Sequence, residues 1–253
     1  MIPLFALSAP EVFFASANAA YVANAAAPPY VTYRVHTKLD VVHGEQEFDS
    51  QVSVRTKDQL AIVADGQSHE VSVREPYPAP PTLDPLSTFD WSVMVSISRV
   101  HRLRARMREI VPLHYEHVAS SADVVVRTSK DYLIEFADGT TDASDRIHLL
   151  LEPTNAMRRR SKLWLTTLVV DRTTMLPVSA TYRQKGQGNS FVTMRVEYRP
   201  VAGHLLLSTL HYYATGALAL FGHVTIDLTC EYGDYTFPAY PPDPRLASAT
   251  SLR

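Results

Sequence analysis

Apolar and polar residues alternate with period two along most of this chain, and that alternation predicts strands. Over Tyr30 to Val42, Val31, Tyr33, Val35, Leu39 and Val41 fall on one side and Arg34, His36, Lys38 and Asp40 on the other, as in a half-buried strand. His43-Gly44 turns it. Phe48, Val52 and Val54 predict a second strand, Leu60 and Ile62 a third, and Ala64-Asp65-Gly66 a tight turn into Val71 and Val73. Arg146 to Leu151 alternates through Ile147, Leu149 and Leu151. The run from Leu163 to Tyr198, LWLTTLVVDRTTMLPVSATYRQKGQGNSFVTMRVEY, then reads as a meander. Its first strand ends where Asp171 can bond forward to its own backbone and Pro177 cannot donate to a ladder. Val178, Ala180 and Tyr182 return, Gly186 and Gly188 turn a hairpin, and Val192, Met194, Val196 and Tyr198 come back. Leu205 to Tyr213 and Leu218 to Tyr232 complete the set, the latter with Val224, Ile226, Leu228, Cys230 and Tyr232 against Thr225, Asp227, Thr229 and Glu231.

Two regions depart from this period. Pro10 to Ala27 places Phe13, Phe14, Ala17, Tyr21 and Ala25 along one stripe at helical spacing, and Pro28-Pro29 ends it. Glu75 to Ala119 opens with prolines at 76, 78, 80, 81 and 85, and Leu86 to Val111, with Phe89 and Trp91, is expected to be partly helical. A basic loop, Met157 to Lys162, precedes the meander, and prolines at 238, 241, 242 and 244 release the end of the chain. VRTKDQL from Val54 with Ala64-Asp65-Gly66 is echoed by VRTSKDYL from Val126 with Ala137-Asp138-Gly139, which suggests two hairpins built alike but too few copies for a solenoid. The expected fold is mainly β (α+β): a curved antiparallel sheet or half-barrel of about eleven strands, with the leading helix and the mid-chain helical insertion in its concave side. One domain is expected over 10–245, with residues 1–9 as the end of an export signal and 246–253 as a mobile tail.

Composition narrows function mainly by exclusion. A formal charge of -2 over 253 residues gives no electrostatic reason to expect nucleic acid as a partner. The single cysteine, Cys230, excludes an intrachain disulfide and a thiolate metal cluster, and its place on the apolar side of a strand predicts a buried, inert thiol. Met1 to Ala9 is apolar and Ala15-Ser16-Ala17 resembles a small-residue cleavage site, but no basic residue precedes it. No run approaches the roughly 18 apolar residues of a membrane-spanning helix. Among ten histidines only His114-Tyr115-Glu116-His117 approaches a ligand spacing, and it lacks the order of a zinc hydrolase helix. No nucleophile elbow and no phosphate loop occurs, because Gly186-Gln187-Gly188 lies between strands and not ahead of a helix. A noncatalytic protein without a cofactor or metal is therefore expected.

The order of leading helix, long meander, mid-chain insertion and a strand ending in LWLTTLVVDRTTMLPVSATYR, Leu163 to Arg183, resembles the lipoprotein-carrier superfamily of LolA, LolB and RseB-like proteins. The closing strand ending in EYGDYTF is also similar to that superfamily's late strands. The resemblance implies an incomplete β-barrel with helices over its mouth, binding an acyl chain or a partner protein in the cell envelope, with no catalytic residues. No cysteine lies near the N-terminus for lipidation, so the membrane-anchored form is not implied, and the proline-rich stretch at 76–85 has no counterpart in the resemblance. The resulting expectation is a periplasmic or secreted, monomeric carrier or sensor whose half-barrel holds a lipid or lipoprotein acyl chain. Its candidate lining is Tyr33, Val35, Val52, Val54, Met194, Val196, Ile226 and Leu228, with Trp91 on the cover. The rivals are an envelope-protein interaction module whose helices fill the barrel and, further off, a metal-dependent hydrolase using His114 and His117.

Overall fold

The computed structural model describes residues 9–24, 28–41, 44–55, 60–65, 71–74, 129–138, 140, 144–160, 163–185, 191–218 and 222–247. Helix α1 (Pro10–Asn24) leads into strands β1 (Tyr30–Val41), β2 (Gly44–Arg55), β3 (Leu60–Asp65) and β4 (Val71–Arg74). A 3-10 turn (Ser129–Asp131) precedes β5 (Tyr132–Phe136), β6 (Arg146–Pro153), helix α2 (Asn155–Arg160), β7 (Leu163–Asp171), β8 (Pro177–Lys185), β9 (Phe191–Val201), β10 (His204–Leu218), β11 (Gly222–Thr236) and helix α3 (Pro244–Ala247). The expected insertion with Trp91, and His114 and His117, lie outside the described residues.

The strands form one sheet in the order β4-β3-β2-β1-β11-β10-β9-β8-β7-β6-β5. Two meanders, β1 to β4 and β5 to β11, are thus joined side by side through the first and last strands, with Val35 opposite Tyr232 and Leu39 opposite Leu228. β4 and β5 form opposite edges, so the sheet is not closed into a barrel.

Period two survives folding. In β1, Val31, Tyr33, Val35, Thr37 and Leu39 are buried while Arg34, Lys38 and Asp40 are exposed. β6 alternates along its whole length. The apolar residues make one inner face, against which α1 packs through Phe13, Phe14, Ala17 and Tyr21. Phe13 meets Phe136 of β5 edge-on, whereas Tyr21 meets Tyr198 of β9, so α1 crosses the strands instead of lying along them. The outer face carries solvent-exposed pairs such as Lys38 with Glu47 at 3.0 Å and Arg34 with Asp49 at 3.5 Å. Such pairs contribute little stability but keep that face wet.

Three boundaries differ from the sequence expectation. The basic loop at 157–162 begins as helix α2: Thr154 Oγ1 accepts from the Met157 N–H at 3.3 Å and caps it, while the Met157 side chain is fully buried. Arg158 then lies over the Trp164 ring and donates to Glu152 and to the Pro153 carbonyl. Leu218 belongs to β10 and not to the last strand, because the β10–β11 ladder runs unbroken from Thr209 opposite Glu231 to Leu218 opposite Gly222. Docked structure also continues past residue 245, since Leu246 in α3 is fully buried.

Between β9 and β10, Ala202 and Gly203 both take positive φ, 48° and 84°, which suits the right-handed twist of a two-residue hairpin. At the edge, the β6–β7 ladder ends with Leu150 opposite Thr167, and beyond it the Leu165 N–H donates to the Tyr132 hydroxyl at 3.1 Å. Replacing Tyr132 by Phe leaves that N–H buried without this acceptor. Tyr132→Phe is expected to destabilise the fold by about 1 kcal/mol in urea melts; an unchanged midpoint would mean that another group accepts the bond.

Candidate functional site

The inner face is built by register. Val52 stands opposite Tyr33 and Val54 opposite Val31 across β1 and β2. Toward the middle of the sheet, Leu228 faces Tyr212, which faces Met194, which faces Tyr182. The next row places Cys230, Leu210, Val196 and Ala180 side by side. Because side chains alternate between the bulges, one correct register on each strand is enough to gather these residues from both meanders onto one surface.

The structure brings together eight of the nine residues expected to line a cavity. Tyr33, Val35, Val52, Val54, Met194, Val196 and Leu228 are each at most 2% exposed and share one core cluster, and Ile226 packs against it half-buried. Trp91 lies outside the described residues. Aromatic residues not among the expected lining complete the face: Tyr212 between Met194 and Leu228, with Tyr182, Tyr198 and Tyr232 also pointing inward. Their alternation with Arg183, Glu197 and Glu231 was the available signal. Tyr33 stacks at a tilt on Tyr235, 5.2 Å between centroids, because a bulge opposite β1, with Asp234 at φ 53°, returns Tyr235 to the inner side.

The polar groups on this face are neutral ones. Thr37 Oγ1 lies 3.7 Å from Cys230 Sγ, and burial pushes the Cys230 thiol up to about 12, so it stays protonated and unreactive at neutral pH. Burial likewise pushes the Tyr212 hydroxyl up to about 12. Ser50, 2% exposed beside Val35, has a hydroxyl with no hydrogen-bond partner among the described residues. Among the described residues this surface is apolar and dotted with uncharged hydroxyls, and the two titratable groups on it, Cys230 and Tyr212, are held protonated at neutral pH.

Charged groups sit elsewhere. His36 meets Asp49 at 3.1 Å and His211 meets Asp227 at 2.7 Å, both on the outer face. Among the described residues no three histidine, cysteine or acidic side chains converge as a metal site. No helix there is long and apolar enough to cross a membrane. A recess of about 410 Å³ lies at the β5–β6 turn, lined by Asp138, Thr140, Ser144, Asp145, Arg146 and His148. It is open and polar, and it is separate from the expected lining.

No protein-family model matches the chain, and no curated protein matches its sequence. Solved structures are similar to it. A LolA superfamily protein from Nitrosomonas europaea is 15% identical, with 92% of this chain and 94% of that one covered at a TM-score of 0.39. A domain described as an outer membrane lipoprotein-sorting protein, from Vibrio parahaemolyticus, is 11% identical over 85% and 88% of the two chains, TM-score 0.42. A DUF1329 family protein from Desulfovibrio piger is 9% identical over 91% and 94%, TM-score 0.41.

Proposed function

We propose that the chain is a noncatalytic, exported carrier or sensor that holds a lipid or lipoprotein acyl chain against the inner face of the open sheet. One observation carries this reading: the apolar inner face is far wider than the helix laid on it. Ten strand spacings span roughly 48 Å, whereas the α1 axis extends only about 22 Å and its cylinder is about 10 Å across. An acyl chain that displaces part of the present cover of this face gains about 0.8 kcal/mol per buried methylene, which offsets the loss of that cover. The residues in contact would be Tyr33, Val35, Val52, Val54, Met194, Val196, Ile226 and Leu228, with Trp91 as part of the cover.

The second reading is an envelope-protein interaction module whose inner face is permanently filled by its own chain. The near-complete burial of seven lining residues favours it. Native mass spectrometry of protein purified without detergent, combined with displacement of a fluorescent fatty acid, separates the two. Co-purifying lipid and low-micromolar displacement are expected for a carrier. Bare protein that neither binds nor displaces the probe supports the filled module and defeats the carrier.

A further inference from the structure

The chain leaves β11 beside β1, with Thr236 opposite Thr32, and Phe237 packs on His204 at 5.0 Å. Its next fully buried side chain is Leu246, three strands away. There Leu246 is fully buried and forms a small cluster with Ile62 of β3 and Tyr30 of β1. This cluster lies on the outer face, because Ile62 pairs with Ser53 and Tyr30 with Arg55, the outward residues flanking Val52 and Val54. Arg55, itself 6% exposed, donates through Nη1 to the Leu246 carbonyl at 2.6 Å. Asp243 prepares the landing by accepting from the Arg245 N–H at 2.8 Å and holding the Arg245 guanidinium.

The span between the two anchors is stiff and buries no side chain fully, with Pro238, Pro241 and Asp243 only half-buried. It contains Pro238, Pro241, Pro242 and Pro244, and Tyr240 within it is 81% exposed. The eight residues 238–245 between the anchors, at about 3.1 Å each, reach roughly 25 Å, and the three strand spacings from β11 to β3 require about 14 Å. A proline-rich span loses little entropy on being held extended, so the anchors need not be strong to keep it in place. The wing it reaches is the weak end of the sheet: β3 is 6 residues long and β4 only 4, at an open edge.

We propose that Phe237–Ala247 is a strap that ties β3 to β11 across the outer face, so that freeing Leu246 loosens the β3–β4 wing while the rest of the sheet stays closed. The strap makes the open side of the sheet adjustable from its outer face, whatever the inner face binds. Hydrogen exchange of the full chain tests it, comparing Leu246→Asp with the volume-conserving Leu246→Met. In Leu246→Asp the amides of residues 60–65 and 71–74 are expected to exchange at least about tenfold faster, with residues 192–198 unchanged and Leu246→Met like the parent. If Leu246→Asp does not fold, Leu246→Ala is expected to show the same local pattern at several-fold. Unchanged exchange in the wing, or equal acceleration in residues 192–198, overturns the strap.

Discussion

Val196→Asp is expected to yield no native protein at neutral pH, whereas Arg195→Ser, one residue away on the same strand, is expected to cost less than about 1 kcal/mol. Val196 is fully buried in the middle of the inner face, between Ala180 and Leu210. A carboxylate there is cut off from solvent, with only apolar partners across the strands, and the several kcal/mol this costs is comparable with the roughly 5–15 kcal/mol that holds an ordinary domain together. Arg195 points outward, and its 2.8 Å pair with Glu197 is 59% and 43% exposed, so its loss is screened. Circular dichroism and urea melts of the two variants decide the matter. A soluble Val196→Asp protein with native spectra and a parental midpoint would mean that the inner face is wet.

Asp171→Ala is expected to destabilise the fold by roughly 2–3 kcal/mol, a large effect for a turn residue. One oxygen, Asp171 Oδ1, accepts from the Thr174 N–H at 2.8 Å, the Thr174 hydroxyl at 2.8 Å and the Thr173 N–H at 3.1 Å. The same turn holds Met175 at φ 56°, so the backbone needs these bonds to stay in a region that side-chain-bearing residues avoid. The Thr174 backbone N–H, then the Thr174 hydroxyl, hold the Asp171 carboxyl below its ordinary value near 3.8. Since the folded value is the lower one, the stabilisation is fully present above the unfolded value and disappears as pH falls through the folded one. The gap between parent and Asp171→Ala in urea midpoint should therefore be constant from pH 7 to about 5 and narrow as pH falls below about 4. Asp171→Asn retains an acceptor and should recover about half of the loss. A gap that persists undiminished at pH 2 would show that the carboxylate is not the cause.

Local chemistry was readable where the deciding partners are close in sequence. Asp171 bonding forward, the alternation in β1 and the burial of Cys230 depend on neighbours a few residues away or on strict period two. Helix α2 was missed because three consecutive arginines look solvated, and only the burial of Met157 beneath them, with Thr154 as cap, turns that segment into a helix. The strap was missed for the opposite reason. Four prolines read as release, and nothing near Leu246 in the chain announces that Arg55, 191 positions earlier, will bond its carbonyl.

Of the candidate site, the amino-acid sequence by itself determined which side chains share a face within each strand, because alternation is a property of the extended backbone. Only the tertiary structure decided that β1 pairs with β11, and this pairing puts Tyr33 and Val35 on the same surface as Met194 and Val196. Strand order is chosen by the summed burial of both meanders, a quantity spread over residues up to two hundred positions apart, and no local pattern encodes it.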